Sequence, residues 1–437
     1  MKEAECRNGS EAEAKAEPPK FRARSQALLK IGADEVTEAR RSRWFESEQE
    51  PNIQETAAEA GTEHQLKSEY RYDMADAVAE HEANGSIKVL VTGAAGYLAI
   101  HCVQQLLNEG YRVRGTVRDT NNTAKVKPLI DLKGSDRLEL ITADLMDKQI
   151  WSTAVEGCEY VLHIASPCQT VADDSIIQTA IDGTLNVLRA VAKCDTVKKV
   201  VLTSSSGAVN QGHKKPHKLF NEDDWTKLED GRVYVHKYHV SKTMAEQAAW
   251  NFVRNETGVK FKMTVLNPAL IVGPLLQNSK GASAAIISRF LDSTMPAIPS
   301  FKCGIVDVDD VALAHIRAMR NSDTDDQRIL ITACTMSFRQ IAQVLRKEFA
   351  PQDYSVPRLR VPFFMIRLYS LLDEEAREVV RLGKYVEYFD NSKAKQLLGM
   401  TFKDPRISLI EMAYDMIERG IIPKRSKYRG PSKSQNM

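Results

Sequence analysis

From Ile87 onward, apolar residues along the chain fall into two alternating periods. The run Ile87-Lys88-Val89-Leu90-Val91-Thr92 is rich in β-branched residues and stops at glycine, as a strand ending in a tight turn does. Further strands are expected over residues 111–117, 138–142, 160–165, 199–203 and 263–272. Between them, apolar positions recur at steps of three and four, which predicts helices over residues 100–107, 176–192 and 240–253. Residues 160–165 and 199–203 are nearly all apolar, as strands buried on both faces must be. The alternation specifies an α/β fold, a doubly wound parallel sheet of Rossmann type.

After residue 272 the pattern loosens. Helices are expected over residues 282–291, 338–348, 373–382 and 407–417, with a strand over 327–332 returning to the main sheet. These elements predict a smaller C-terminal α/β lobe for substrate binding. The domains are then a nucleotide-binding sheet over 86–275 and a substrate lobe over 276–423. The Pro, Met and Phe content of 276–325 and 350–420 suits an apolar pocket. Residues 1–85 are acidic on balance and lack periodic apolar positions, which predicts a disordered tail. Residues 424–437 read as a flexible basic tail.

Composition removes several functions. A net charge of +2 over 437 residues makes no electrostatic case for nucleic acid. The seven cysteines are scattered without a Cys-x-x-Cys pair, so neither a zinc site nor a disulfide framework is expected. There is no apolar stretch of signal-peptide length and no run of about 18 apolar residues, so the expectation is a cytoplasmic protein without a membrane span. His213, His217, His236 and His239 lack a third ligand at metal spacing and read as surface histidines, so no metal is expected. Asp307, Asp309 and Asp310 read as helix-start residues, and His163 as a hydrogen-bonded core histidine.

The chemistry begins at Gly93-Ala-Ala-Gly96-Tyr-Leu-Ala99, between the first strand and the first helix. Gly93 turns the chain, Gly96 lets backbone approach a pyrophosphate, and a small residue at 99 lets helix pack on strand. The helix N-terminus adds unpaired N–H groups and a positive dipole end. The second strand ends in Arg118-Asp119. The guanidinium of Arg118, with Lys125 nearby, suits a ribose 2′-phosphate, whereas an inward Asp119 would favour a bare 2′-hydroxyl. NADP(H) is expected over NAD. Tyr238 and Lys242 stand one helical turn apart, after a strand ending Thr203-Ser204-Ser205-Ser206-Gly207. A phenol, an ammonium that lowers its pKa and a serine hydroxyl, Ser205, together suit proton delivery to a carbonyl oxygen while hydride reaches the carbon.

Residues 87–420 resemble the extended short-chain dehydrogenase/reductase family, with its NAD-dependent epimerase/dehydratase domain, in the branch of dihydroflavonol 4-reductase and cinnamoyl-CoA reductase. The resemblance is carried by Val91-Thr-Gly-Ala-Ala-Gly-Tyr-Leu98, Val113-Arg-Gly-Thr-Val-Arg-Asp119, Ala143-Asp-Leu145 and Val161-Leu-His-Ile-Ala-Ser-Pro167. Tyr238-His-Val-Ser-Lys-Thr243, Leu266-Asn-Pro-Ala-Leu-Ile-Val-Gly-Pro274 and Phe389-Asp-Asn-Ser-Lys-Ala-Lys395 extend it. It implies catalytic roles for Ser205, Tyr238 and Lys242. It also implies dinucleotide contacts at Arg118, Lys125, Asp144, Leu145, Ile164, Ala165, Pro268 and Ser283, with Asp144 on the adenine amino group. Tyr97, Leu98, Ser166, Ser204, Tyr238 and Lys242 complete the candidate cofactor contacts.

Three departures stand out. Ala99 replaces the loop's third glycine, Asn267 stands where the plant branch usually has Arg, and residues 168–178 are shorter than the flavonoid enzymes' substrate loop. The last argues against a dihydroflavonol substrate. The expectation is a monomeric or homodimeric reductase of a small, apolar carbonyl or alcohol. A 3β-hydroxysteroid dehydrogenase or sugar-nucleotide epimerase on the same fold is one alternative, and a dinucleotide-sensing protein without turnover is another.

Overall fold

A computed structural model describes residues 81–167, 174–213, 219–228, 235–278, 281–295, 298–299, 301–359, 367–368, 370–371 and 388–431. Nearly all of the predicted acidic tail and the helix expected over 373–382 lie outside the described residues. The chain opens with β1 (Lys88–Val91), α1 (Tyr97–Asn108), β2 (Arg112–Val117), α2 (Thr123–Ile130), β3 (Leu138–Thr142), α3 (Ile150–Val155) and β4 (Tyr160–His163). Next come α4 (Ser175–Ala192), β5 (Lys199–Thr203), β6 (Leu219–Phe220), α5 (Lys237–Asn255), β7 (Lys262–Pro268) and β8 (Leu270–Val272). The C-terminal part adds α6 (Ala282–Leu291), β9 (Lys302–Asp307), α7 (Val308–Arg320), β10 (Arg328–Ile331) and β11 (Cys334–Ser337). It closes with α8 (Phe338–Phe349), β12 (Tyr388–Phe389), α9 (Ser392–Leu398) and α10 (Pro405–Glu418).

Seven strands form one sheet in the order β10-β7-β5-β4-β1-β2-β3, every neighbouring pair parallel. The direction of winding reverses between β1 and β4, so the chain leaves these two strand ends on opposite faces and a crevice opens there. One face of the sheet packs on α1 and α7 through Val89, Val91, Leu162 and Val201. The other packs on α4 and α5 through Leu90, Val161, Val200 and Val265. All of β5 is buried, matching its uninterrupted apolar sequence.

The expected return of residues 327–332 to the main sheet is found as β10 against β7. The single strand expected over 263–272 is instead two. β7 ends at Pro268, and β8 leaves to pair with β9, which also pairs with β11 in a three-stranded sheet. A proline cannot donate to a ladder, so the main sheet has a natural exit there. The second sheet lies among α6, α8 and α10 around Ile287, Phe290, Phe349 and Met412.

Two further expectations are corrected. Residues 424–431 are not a loose tail: Lys424 pairs with Glu418 at 2.6 Å and the Tyr428 hydroxyl donates to Glu418 at 2.7 Å. The Tyr428 ring also packs on Tyr354 and Tyr414, so one aromatic residue anchors a segment whose composition reads as solvated. Cys334 is disulfide-bonded. Pairing is decided by proximity in space, which the spacing of cysteines along the chain does not report. No described helix is long and apolar enough to cross a membrane.

Buried histidines peg the strand ends to their surroundings. The Thr92 hydroxyl accepts from the N–H groups of Ile164 and Ala165, at 3.0 and 2.9 Å, so its own hydrogen goes to His163 Nδ1 at 2.9 Å. His315 Nδ1 donates to Val311 O at 2.7 Å, leaving Nε2 to accept from the Thr203 hydroxyl at 2.7 Å. Burial, reinforced by the charge of Lys242, pushes His163 down to about 3. Burial also lowers His315 to about 4, against the opposing bond to Val311. Both are therefore neutral in the fold at pH values where the unfolded chain protonates them. Stability should be fully present above about pH 6.5 and fall as pH drops toward 4, each histidine contributing about 1.4 kcal/mol per pH unit. His239, lowered by burial to about 3, adds a third such contribution, and Asp310, raised by burial from 3.8 to about 6, offsets one of the three in its own window. Urea midpoints measured from pH 7.5 to 4.5 should decline, and His315→Gln should flatten the slope. A midpoint independent of pH in both proteins contradicts this account.

Candidate active site

The glycine loop is strapped to the strands on either side of it. Gly93 N donates to the Thr116 hydroxyl at 2.9 Å, Ala94 N to Thr116 O at 2.8 Å, and Gly96 N to Gly93 O at 2.7 Å. Gly93 has φ +66°, and a Cβ there would sit 3.0 Å from the Cβ of Ala165. Only glycine meets both demands. A Cβ on Gly96 would come within 3.0 Å of Gly93 O, so its role is to let the turn close. Ala99 is fully buried between helix and sheet. Helix α1 has no side-chain cap, which leaves its first N–H groups open at the crevice. Leu98 is buried, and the Tyr97 hydroxyl donates to Gly273 O at 2.9 Å, so these two offer the crevice backbone.

Along the adenine side, Arg118 and Lys125 are exposed. Asp119 is exposed beside Arg118, and its Oδ1 accepts from Asn121 N at 2.9 Å. Exposed Asp144 accepts from Met146 N at 2.8 Å, and Leu145 O accepts from the Asn186 amide at 2.9 Å. Gly183 on α4 lets Leu145 lie against the helix, since a Cβ there would be 3.0 Å from the Leu145 Cβ. Ile164, Ala165 and Ser166 follow β4 half-buried, Pro268 is buried at the end of β7, and Ser283 is half-buried in the first turn of α6.

Helix α5 starts where the His236 ring accepts from Tyr238 N at 3.2 Å. That cap brings Tyr238 and Lys242 onto one face beside the end of β5. Lys242 is 7% exposed, and its Nζ lies 5.9 Å from the Tyr238 ring centre and 3.5 Å from Thr203 O. Two residues on, Ser205 opens a short turn, its Oγ accepting from Gly207 N at 3.1 Å. Gly207 lets that turn meet α5, because a Cβ there would be 2.6 Å from the His239 ring. The structure thus brings Ser205, Tyr238 and Lys242 to one strand end. Ser204 turns inward, its hydroxyl donating to Glu246 at 2.5 Å. His236 and His239 are not surface histidines: one caps α5, and burial lowers the other to about 3. Among the described residues no group of three metal-ligating side chains occurs.

Residues 89–332 match the sequence profile of the NAD dependent epimerase/dehydratase family. The chain belongs to this family. Over 288 residues it is 37% identical to a cinnamoyl-CoA reductase of Medicago truncatula, covering 64% of this chain and 87% of that protein. Over 341 residues it is 34% identical to tetraketide alpha-pyrone reductase 1 of Arabidopsis thaliana, covering 77% and 97%. Among solved structures, the yeast methylglyoxal/isovaleraldehyde reductase Gre2 complexed with NADPH superposes with a TM-score of 0.64 at 26% identity, covering 76% of this chain and 99% of that one.

Sequence reasoning passed over Gly115, Gly207, Glu246 and Arg328. Glu246 carried a signal, being a charge on the Tyr238–Lys242 face one turn further on. Gly115 carried none, since its need is set by a partner 21 residues away: a Cβ there would lie 2.7 Å from the Cβ of Ala94. In this family member, Gly115→Val should therefore push the glycine loop off the sheet. The expected outcome is a loss of about 1–3 kcal/mol of stability together with weakened NADPH binding. Urea unfolding and fluorescence titration check it, and wild-type cofactor affinity in the variant counts against it.

Proposed function

We propose that this chain reduces the carbonyl of a small, apolar molecule to an alcohol, or runs the reverse oxidation, using NADP(H). The observation that carries the reading is a nearly dry Lys242 placed beside both the Tyr238 ring and Thr203 O, with Ser205 two residues past the end of β5. The comparisons support it, since the relatives above are named as reductases and one was solved with NADPH.

The residues fit the cofactor. Gly93 leaves a backbone cradle that any side chain would fill, beside the uncapped start of α1. Arg118 and Lys125 meet the 2′-phosphate, while Asp119 Oδ1 holds the turn to Asn121 N. Asp144 and Leu145 border the adenine. Ile164, Ala165, Ser166, Pro268 and Ser283 border the remainder, with Tyr97 and Leu98 contributing backbone. Bound NADPH supplies the hydride that reaches the carbonyl carbon.

The chain supplies the rest. Tyr238 gives its phenolic proton to the carbonyl oxygen. An ordinary phenol near pKa 10 is a poor base for the reverse step, and an ammonium held out of water beside it favours the phenolate. Lowering the pKa by about 3 units needs roughly 4 kcal/mol, within reach of a close and partly desolvated charge. Because Ser205 Oγ already accepts from Gly207 N, its hydrogen is directed to the substrate oxygen.

NADPH consumption should be followed against isovaleraldehyde, methylglyoxal and benzaldehyde. Tyr238→Phe should lower kcat by about 100- to 10,000-fold with NADPH binding intact. NADPH binding without turnover of any of the three by the wild-type chain would favour the sensor and overturn the reading. Arg118→Ala should cut the preference for NADPH over NADH by about 10- to 100-fold, the loss of one charge-assisted bond of about 1.5–3 kcal/mol. An unchanged ratio of the two kcat/KM values removes Arg118 from the phosphate site.

A further inference from the structure

Behind the serine turn lies a carboxylate that the reduction chemistry does not use. Glu246 is on α5, one turn after Lys242 and two after Tyr238, so all three project from one face of the helix. It is 1% exposed. A carboxylate only accepts, and this one collects four donors. Its Oε2 accepts from the Ser204 hydroxyl at 2.5 Å and the Asn267 amide at 2.8 Å. Its Oε1 accepts from Arg328 Nε at 2.5 Å and Trp250 Nε1 at 3.4 Å.

The donors come from three strands of the sheet and from the helix itself. Ser204 follows β5, Asn267 ends β7 and Arg328 begins β10. The Asn267 amide also donates to Ser205 O at 3.2 Å. One carboxylate therefore grips the residue before Ser205 directly and the carbonyl of Ser205 through Asn267. Arg328 is itself fixed, its guanidinium stacked 3.6 Å over the Trp225 ring and donating to Glu222 O and Asp224 O.

We infer that Glu246 is a positioning residue, the anchor that sets the Ser205 turn in register with the helix carrying Tyr238 and Lys242. The inference rests on the reduction reading. A buried ion pair could serve stability alone, and then the network would have no need to reach Ser205. Here its two shortest links run to the sheet edge through Arg328 and to the residue preceding Ser205. The Asn267 side chain joins the carboxylate to the Ser205 backbone. Burial makes the geometry costly to change, because acceptor-only Glu246 cannot be replaced without leaving donors unpaired.

The test uses the full chain with NADPH and whichever of isovaleraldehyde, methylglyoxal or benzaldehyde it turns over. Glu246→Gln keeps the shape but turns an N–H₂ group toward donors. It should lower kcat by about 10- to 100-fold in protein that is folded at the assay temperature, the scale of a small misplacement of reacting groups. KM for NADPH should stay within about twofold, since the glycine loop lies on other strands. Should Glu246→Gln fail to fold, Ser204→Ala removes a single link and should lower kcat by about 3- to 10-fold with the same unchanged KM. A lowered melting temperature with kcat unchanged in the folded variant assigns Glu246 to stability alone and overturns the inference. Tyr238→Phe separates the two proposals. If it abolishes turnover while the Glu246 and Ser204 variants keep theirs, only the positioning role falls. If it retains wild-type turnover, the reduction reading falls and the inference with it.

Discussion

A single hydroxyl holds the crevice in shape. Thr92 stands where β1 ends, at the point where the winding of the sheet reverses and no crossover bridges the two strand ends. Its oxygen receives the N–H groups of Ile164 and Ala165 while its hydrogen goes to His163. That bond set ties the exit of β4 to the start of the glycine loop. It is also why Ala165 sits against Gly93 so closely that only glycine fits there. Without this tie the loop would lose side-chain anchoring on its β4 side. Two sheet neighbours hold the opposite side, Thr116 through hydrogen bonds and Gly115 by leaving room for Ala94.

The C-terminal lobe attaches to this same small region. Tyr97, the first residue of α1, donates to Gly273 O, and the Gln277 amide reaches Ala95 O within the glycine loop. Leu275 N in turn donates to Asp415 on α10 at 2.7 Å. The loop that cradles the pyrophosphate under our reading is thus also bonded to the chain that follows β8.

Much of this was legible in the chain. The β-branched runs, the glycines at a strand-to-helix junction and the Tyr238–Lys242 spacing each reflect local rules. Among the described residues the expected elements of the main sheet and its helices lie within a few residues of their places, apart from the split of 263–272. What was hidden depends on distant partners. The break at Pro268 needs a second sheet to receive β8. The ordered end of the chain depends on Tyr428 meeting Tyr354 and Tyr414. His236 and His239 read as surface histidines, yet the first is a cap and the second fills the gap that Gly207 leaves. Asn267 registered only as a departure from the plant pattern, because its meaning lies in Glu246, across the sheet.

Charge is distributed across the site by depth. Arg118, Lys125 and Asp144 lie exposed, where water screens them, and under our reading the two cations make a modest, salt-sensitive contribution to holding the 2′-phosphate. Lys242, Glu246 and Arg328 are buried around the serine turn, where the same unit charge acts over a lower effective dielectric constant and is worth several times more. Grip and chemistry are thereby separated. Exposed charges can be exchanged with graded effects on affinity. The interior ones are joined in a network in which Glu246 accepts from Ser204, Asn267, Arg328 and Trp250, so a change at Glu246 reaches Ser205 through Asn267. An interior charge set able to bias a phenol must also be kept from moving. In this chain the anchoring of Glu246 to three strands meets that demand.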